Sequence, residues 1–245
     1  MKIDVLGSGS AYAKNSNTSS VLISGQSGHQ LLIDCGPTIP RALLKKEVGV
    51  NDIDAIFFTH IHPDHCAGIS ALLNNWKSFG RTKPLTIFCQ RGQQSSLEFL
   101  TSFANWPQTT LCFEIIWQEI SDSFTWNNWE INTAFTQHEM PNRAISIHTD
   151  GHHLFYSGDG RPTADSIALM QGADIAFQEC ACFAPLEEGS SHGDFYGCKT
   201  LVEQANVKSL GLYHCWDEEI DQITRHAKQT EKMFVSYDGL VIELT

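Results

Sequence analysis

The sequence predicts a layered α/β fold. Two successions of short apolar segments, one in each half of the chain, have the length and the Val, Ile and Phe content of buried strands. Segments with the apolar spacing of helices lie between or after them. No low-complexity tract or proline-rich linker interrupts this order. Two sets of strands with intervening helices favour sheet layers covered by helices over one wound parallel sheet or a helical bundle.

The first half of the chain contains the first set of strands. The predicted strands are MKIDVLG, SVLIS, LLIDCG, IDAIFFTH (residues 53–60), LTIFC and TLCFEIIW, with Gly, Ser or Asn at many of their boundaries. A helix is predicted after the fourth strand, because HCAGISALLNNWK places apolar residues three and four positions apart. A second helix fits QQSSLEFLTSFANW.

The second half repeats the alternation. Strands are predicted in the tryptophan-rich SFTWNNWEINTAFTQH and in AISIHT, HLFYSGD, ADIAFQECA, SLGLYHCW and, as a last strand, MFVSYDGLVIEL. Helices fit TADSIALMQGA, FYGCKTLVEQANV and EEIDQITRHAKQTEK. Nothing marks a domain boundary, so we expect residues 1–245 to form a single domain.

The charge balance argues against a polyanionic partner. The chain carries 28 acidic and 16 basic residues, a formal net charge of −12. Nucleic acid is therefore disfavoured, although a local basic cleft stays open and bound cations would cancel part of the charge. No segment has the run of about 20 apolar residues that a membrane span needs, and the N-terminus lacks the profile of a secretory signal. We expect a cytoplasmic protein without membrane contact, with its eight cysteines reduced and mostly buried.

A dense group of metal-ligand residues follows the fourth predicted strand. His60, His62, Asp64 and His65 lie within the segment THIHPDH, just before a helix. Residues two apart project to the same side at a strand end, so His60 and His62 can reach one ion while the two residues past the turn reach a neighbouring ion. Imidazole suits Zn, Mn, Fe or Ni, and a carboxylate supplies charge that helps two cations coexist. The position directly after a buried strand disfavours the alternative of a His-rich surface loop.

Three further candidates lie at the ends of later predicted strands: His138, Asp159 and His214. Loops at strand ends commonly carry the functional residues of sheet-based folds. Any one of these residues alone could instead be a loop cap or a core residue. Considered together with the group at residues 60–65, they favour a site for two metal ions.

The order of these features resembles the metallo-β-lactamase superfamily. HxHxDH is similar to the metal-binding motif of that superfamily, and it is preceded by a glycine–serine loop (residues 7–10) and by Asp34. The resemblance covers essentially the whole chain and implies a four-layer αββα sandwich with the metals at one edge. It also implies a first metal bound by three histidines, a second bound by an aspartate and two histidines, and one bridging aspartate. The resemblance assigns His60, His62 and His138 to the first metal and Asp64, His65 and His214 to the second, with Asp159 as the bridging residue.

Asp34 resembles the aspartate that supports such a site from behind. A carboxylate in that position fixes the tautomer of a ligand histidine by hydrogen bonding. The alternative is a turn-forming aspartate before Gly36.

Within the superfamily the chain is most similar to the branch of ribonuclease Z and the small cyclic phosphodiesterase of carbon–phosphorus lyase pathways. LGSGSAYAKNSNTSSVLI is similar to that branch's LGTGS-type loop, FYSGDGRP is similar to its SGDTRP-type motif, and Ser191-His192-Gly193 falls where it has a catalytic histidine. The segment between His138 and Asp159 is too short for the tRNA-binding arm of ribonuclease Z, and the N-terminal loop lacks the cysteines of the cyclic phosphodiesterase's structural zinc site. The chain is thus a relative of both.

The resemblance implies a metal-dependent hydrolase that cleaves a small or cyclic phosphodiester through a metal-bridging hydroxide. We expect two divalent ions, Zn or Mn, with Fe or Ni also suitable, and we expect Asp64 and His192 to take part in catalysis. An alkoxide leaving group needs a proton, which His192 could supply as a general acid. A histidine without function in the flexible stretch GSSHGDF is the alternative.

Other functions remain open at this stage. A thioester or lactone hydrolase of the glyoxalase II type shares HxHxDH, but it adds a helical domain for which few residues follow His214. Three other functions are less well supported. A tRNA 3′-end endonuclease would need the missing tRNA-binding arm, and a di-iron oxygen-reducing protein typically has Glu where this chain has His62. A non-catalytic binding protein usually loses ligands, whereas every ligand position is filled here. A homodimer is compatible with the sequence.

Four cysteines lie beside or between candidate site residues: Cys66, Cys180, Cys182 and Cys215. A redox-sensitive thiol or an additional metal ligand is one interpretation. Residues next to strand-end ligands point away from the ligand face. We therefore expect these four cysteines to serve as small, buried apolar side chains.

Overall fold

Two β-sheets lie face to face, and helices cover the outer face of each. This arrangement comes from a computed structural model that describes residues 1–108 and 110–245. Each sheet has seven strands. The layer order is therefore helix, sheet, sheet, helix, and the predicted four-layer αββα sandwich is confirmed.

The first sheet is built from the N-terminal half and the last strand of the chain. Its strand order is β14-β1-β2-β3-β4-β5-β6. The pairs from β14 to β3 are antiparallel, and the pairs from β3 to β6 are parallel. The bounds are β1 Lys2–Gly7, β2 Ser20–Ser24, β3 Gln30–Ile33, β4 Ala55–Phe57, β5 Leu85–Cys89, β6 Ile115–Glu119 and β14 Val241–Glu243.

The second sheet mirrors this mixed topology. Its order is β13-β12-β11-β10-β9-β8-β7, with antiparallel pairs from β7 to β10 and parallel pairs from β10 to β13. The bounds are β7 Ser123–Trp126, β8 Trp129–Phe135, β9 Arg143–Thr149, β10 His152–Tyr156, β11 Ile175–Glu179, β12 Leu210–Tyr213 and β13 Met233–Val235.

Seven α-helices in the described parts of the chain accompany the two sheets. Their bounds are α1 Ile39–Lys45, α2 Pro63–Cys66, α3 Ile69–Ser78, α4 Gln94–Phe103, α5 Ala164–Met170, α6 Phe195–Gln204 and α7 Ile220–Ala227. Among the described residues no helix has the length and apolar character that crossing a membrane requires. The helices α1, α3 and α4 pack on the first sheet, and α5, α6 and α7 pack on the second.

The alternation of side chains along the strands divides the interior into three apolar layers. In β4, Ile56 faces the layer beneath α1, α3 and α4, whereas Ala55 and Phe57 face the layer between the sheets. The layer between the sheets also contains Ile145 and Phe177 from the second sheet. Burial of apolar surface on both sides of each sheet explains why the central strands have near-continuous apolar sequences.

Several elements differ from the sequence-based expectations, and the following three show how. The last predicted strand, MFVSYDGLVIEL, is two strands, and its halves β13 and β14 belong to different sheets. The strand predicted over 53–60 is much shorter, because the backbone leaves the sheet after Phe57 to form the metal-ligand loop. Helix α1 was not predicted, since its segment IPRALLK is too short to show a helical period and begins with Pro40 in its first turn.

Candidate metal centre

The candidate site residues lie at one edge of the sandwich because of strand direction. The loops that follow β3, β4, β10 and β12 carry Asp34, His60, Asp159 and His214, respectively. Parallel strands have their carboxyl ends at the same edge of a sheet, so each sheet brings its own loops together. His138 reaches the same edge because β8 runs parallel in direction to β10, two strands away.

The loop after β3 holds the base of the site. Asp34 has a backbone φ of 60°, a conformation that non-glycine residues seldom adopt, and its side chain is fully buried. Its carboxylate accepts hydrogen bonds from the Thr59 backbone N–H at 2.9 Å, the Thr59 hydroxyl at 2.8 Å and His65 Nδ1 at 2.8 Å. A Cβ atom on Gly36 would lie 1.8 Å from the Asp64 carbonyl, so only glycine lets this loop approach α2. Asp34 is thus the hydrogen-bonding support that the resemblance implied.

Three histidines and one aspartate form the first ligand group. One side-chain atom from each of His60, His62, His138 and Asp159 lies within 4.8 Å of all the others. His60 Nε2 is 3.0 Å from His62 Nδ1, and His62 Nδ1 is 3.2 Å from His138 Nε2.

The partners of these rings indicate which nitrogen of each carries the proton. The Thr59 hydroxyl donates to Asp34, so it accepts from His60 Nδ1 at 3.0 Å. His138 Nδ1 donates to the Ser191 carbonyl at 2.8 Å, and His62 Nε2 faces the Glu139 carboxylate at 3.3 Å. The remaining nitrogens, His60 Nε2, His62 Nδ1 and His138 Nε2, then direct unshared electron pairs at one another. A metal cation between them satisfies all three, so this group fits a metal ion.

The second ligand group shares Asp159 with the first and adds Asp64, His65 and His214. His65 Nε2 lies 3.2 Å from Asp64 Oδ2 and 3.2 Å from Asp159 Oδ1, and His214 Nε2 lies 3.3 Å from Oδ2 of each aspartate. His65 Nε2 and Asp159 Oδ1 are buried and have no partner with hydrogen-bonding geometry. Buried polar atoms left in this way are what a metal ion would satisfy.

The charge state of the cluster suits cation binding. Burial and neighbouring imidazoles lower the pKa of His60 and His62, which favours the neutral rings that metal binding requires. Burial also lowers the pKa of His65 and His214, but the carboxylates around them, led by Asp159, outweigh this effect and raise both values. Burial raises the pKa of Asp159, yet His214 and His65 overcome it and hold this carboxyl ionised. A metal ion can replace the positive charge that protonated His65 and His214 supply to the aspartates.

A buried glutamate orients His192, and the sequence analysis did not identify it. Glu179, the last residue of β11, is fully buried, and its Oε1 accepts a hydrogen bond from His192 Nδ1 at 2.6 Å. This hydrogen bond raises the pKa of His192 against the opposing effect of its burial. The ring of His192 lies 5.3 Å from that of His138 and 6.0 Å from that of His214, between centroids. His192 therefore lies beside both ligand groups.

The loop that carries His192 is fastened at several points. The Gln137 side-chain amide donates to the carbonyls of Glu188 at 2.7 Å and Ser190 at 2.9 Å. Asp194 accepts from the Gly197 backbone N–H at 2.8 Å and thereby caps α6 just after the loop. Although residues 186–193 have no regular secondary structure, these contacts define where His192 lies.

The four cysteines near the site are buried. All eight cysteines of the chain are free, and seven of them are buried, with Cys112 exposed. Burial raises the pKa of Cys66 to about 12 and that of Cys182 to about 11, so both thiols are protonated near neutral pH. None of the four belongs to a group of potential metal ligands among the described residues.

Comparison with known proteins identifies the family. The family model for the Anti-Pycsar protein Apyc1 matches residues 1–238. The chain belongs to the Anti-Pycsar protein Apyc1 family. Anti-Pycsar protein Apyc1 from Paenibacillus xerothermodurans is 31% identical over 237 residues, which cover 91% of this chain and 90% of that protein.

More distant relatives share the fold. Ribonuclease Z from Methanosarcina mazei is 22% identical over 288 residues, covering 96% of this chain and 93% of that enzyme. The metallo-β-lactamase fold protein YhfI from Bacillus subtilis superposes with a TM-score of 0.84 at 23% identity, covering 99% of this chain and 98% of YhfI. The predicted superfamily and its ribonuclease Z-like branch are confirmed, and the chain is a metal-dependent hydrolase of that branch.

The structure brings together every residue that the sequence analysis assigned to the site. The seven predicted ligands, His60, His62, Asp64, His65, His138, Asp159 and His214, form the two overlapping groups described above. His192 lies at their margin. Their roles as ligands and as acid stay predictions.

Proposed function

We propose that this protein is a dinuclear phosphodiesterase that hydrolyses a small cyclic phosphodiester such as a cyclic nucleotide, and that residues 1–245 form its single hydrolase domain. The observation that carries the proposal is the pair of four-residue ligand groups that share Asp159. A shared carboxylate holds two cations close together, as two-metal hydrolases require.

The ligand groups divide the residues between two ions. His60, His62 and His138 would hold one ion, Asp64, His65 and His214 the other, and Asp159 would lie between them. The imidazole and carboxylate donors suit Zn or Mn, and Fe or Ni are compatible with the same set. When bound, two such ions polarise a phosphoryl oxygen and activate a water for attack on phosphorus.

His192 is the proposed proton donor to the leaving group. Cleavage of a phosphodiester releases an alkoxide, which is a poor leaving group unless it is protonated. The Glu179 carboxylate holds Nδ1 of His192 and raises the pKa of the ring, so that Nε2 carries a proton toward the ligand groups. Such an acid is of use in phosphodiester cleavage and of less use with the good thiolate leaving group of a thioester.

A small substrate fits the surroundings of the site better than a nucleic acid. The connection between His138 and Asp159 is the plain hairpin of β9 and β10, which offers no arm for a folded RNA. The net charge of −12 also opposes a long polyanion. We further propose a homodimer, supported by the exposed apolar side chains of Phe99, Phe103 and Trp106 at the end of α4.

The test is an activity panel on protein loaded with Zn or Mn. The substrates are cyclic nucleotides, bis(p-nitrophenyl) phosphate, a lactone and a thioester, and metal content is measured on the same samples. We expect about two ions per chain, and phosphodiester cleavage that His60→Ala abolishes together with metal binding. His226→Ala, which changes a half-buried histidine of α7 that belongs to neither ligand group, is the matched control. Turnover of the thioester or lactone without the phosphodiesters would refute the proposal.

A further inference from the structure

A cavity of about 330 Å³ opens directly beside the candidate metal centre. His192 and His214 form its inner end. One wall is the N-terminal loop from Ser10 to Lys14, and the other is the segment from Trp216 to Glu218. The volume of the cavity lies at the lower end of the range for small-molecule sites. The cavity adjoins the candidate metal centre on the side of His192, the proposed acid.

Hydrogen bonds donated by backbone N–H groups hold the two walls together. The His214 N–H donates to the Ser8 carbonyl at 2.8 Å, and the Lys14 N–H donates to the Asp217 carboxylate at 2.9 Å. The backbone of Trp216 is equally fixed, because its N–H donates to the Ala181 carbonyl at 2.9 Å and its own carbonyl accepts from two N–H groups that lead into α7. The cavity is therefore defined before any substrate arrives, and a ligand need not order the backbone around it.

The side chains on the rim are aromatic and exposed. The indole of Trp216 is 40% exposed although its backbone is tied into the fold, and its ring centroid lies 6.2 Å from that of His192. Tyr12 on the facing loop is 94% exposed. The fold gains little burial from Tyr12 and leaves part of Trp216 open to solvent. A flat apolar surface on a fixed backbone beside a candidate active site is suited to stacking on an aromatic ligand.

We propose that Trp216 determines specificity by stacking on the aromatic base of the substrate, with Tyr12 closing the other side of the base. The inference rests on the proposed function for the identity of the reacting group, and it adds that the group must carry an aromatic ring. The base occupies the cavity while the phosphodiester lies at its inner end, within reach of His192 and His214. Lys14 contributes a positive charge to the lining of the same cavity.

The experiment compares substrates that differ only in the base. Metal-loaded wild type, Trp216→Ala and Trp216→Phe are assayed with adenosine 3′,5′-cyclic monophosphate and with the same cyclic ribose phosphate lacking adenine. Base stacking on a protein aromatic contributes about 5- to 150-fold in binding. We expect Trp216→Ala to raise KM for the cyclic nucleotide by a factor in this range, with a far smaller change for the base-free compound, and Trp216→Phe to restore most of the loss. Phe79→Ala, an exposed aromatic at the far end of α3, is the control.

A binding measurement separates this inference from the proposed function. Calorimetric titration of the same variants with adenosine monophosphate and with ribose phosphate requires no turnover. If the wild type binds the nucleotide more tightly than ribose phosphate and Trp216→Ala loses this preference, the stacking role is supported. This holds even if the wild type cleaves no cyclic nucleotide, because absence of cleavage refutes only the proposed function. Equal binding of the two compounds by the wild type, or an unchanged preference in Trp216→Ala, overturns the inference.

Discussion

Replacing the members of the Glu179–His192 pair separates proton delivery from metal chemistry. His192→Ala removes the proposed acid but none of the seven ligand residues, so we expect metal content to be retained. Turnover of a phosphodiester with a poor alkoxide leaving group should fall by about 10²- to 10⁴-fold, the range for loss of a general acid. Bis(p-nitrophenyl) phosphate should be affected far less, because p-nitrophenolate departs without a proton.

Glu179→Gln gives a graded version of the same test. The 2.6 Å contact to His192 Nδ1 is a charge-assisted hydrogen bond, and such bonds contribute about 1.5–3 kcal/mol. If this whole contribution acts on the transition state, the loss with the poor leaving group is about 10- to 150-fold, smaller than for His192→Ala. His192→Ala and Glu179→Gln should not be additive, because Glu179 acts through the ring that the first variant lacks.

The assay is steady-state turnover of both substrates with metal content measured on each sample. Metal content matters because Glu179 Oε1 also lies 3.8 Å from His214 Nδ1, so Glu179→Gln could disturb a ligand directly. Equal losses on the two substrates with metal retained would refute the acid role and would show that His192 positions the phosphoryl group. Additive losses in the double variant would show that Glu179 does not act through His192.

Three further predictions concern the ligands, the acid loop and the fold. Asp159→Ala should lower occupancy of both metal sites whereas His138→Ala should chiefly empty one, and equal single-site losses by metal analysis would contradict the bridging role. Gln137→Ala removes two hydrogen bonds to the loop that carries His192. It should therefore lower kcat on the substrate with the poor leaving group by about 10-fold while both metals stay bound. An unchanged kcat would exclude this contribution of Gln137. Burial raises the pKa of Asp4, but hydrogen bonds such as that from Lys46 outweigh it and the net pKa is lowered. Asp4 therefore stabilises the fold above about pH 4 and loses this effect as the pH falls further, so urea unfolding of Asp4→Asn should depend less on pH there than that of wild type.

The candidate metal ligands could be identified in the sequence because their chemistry is encoded locally. Four of them crowd into residues 60–65, and strand direction brings any polar residue at a neighbouring strand end to the same edge. His138, Asp159 and His214 follow β8, β10 and β12, whose carboxyl ends coincide. Identifying these candidates needs no knowledge of the packing between the two sheets, whereas the meeting of the two sets depends on that packing.

Glu179 could not be predicted, because its role depends on a contact across the fold. In sequence it is one acidic residue at the end of the apolar segment ADIAFQECA, and its partner His192 lies in a loop without periodicity. The available signal was that Gln178 and Glu179 are polar yet occupy the end of a strand that is buried along its whole length. A buried carboxylate needs a hydrogen-bond partner, and a nearby histidine was the natural candidate.

The division of the last strand has a similar origin. The segment MFVSYDGLVIEL contains a turn signal, Asp238-Gly239, but nothing local states that its halves join opposite sheets. Asp238 shows the reason, because its carboxylate accepts from the backbone N–H groups of Ser8 and Asn17 in the N-terminal loop. These long-range hydrogen bonds hold the turn against the N-terminal loop, and β14 then pairs with β1.

Strain at two positions of the candidate site shows how the sheets and the site depend on each other. Asp34 and His214 both have positive φ values, 60° and 59°, which cost about 1–3 kcal/mol each in non-glycine residues. Each is held by backbone hydrogen bonds at the junction of the sheets with the loops: the Asp34 N–H donates to Phe57 and the His214 N–H to Ser8. Because His214 N–H ties the second sheet to the N-terminal loop of the first, closing the sandwich also places this ligand opposite Asp64. The ligand geometry is then a consequence of sheet packing, and a metal ion meets donors that the fold has already brought together.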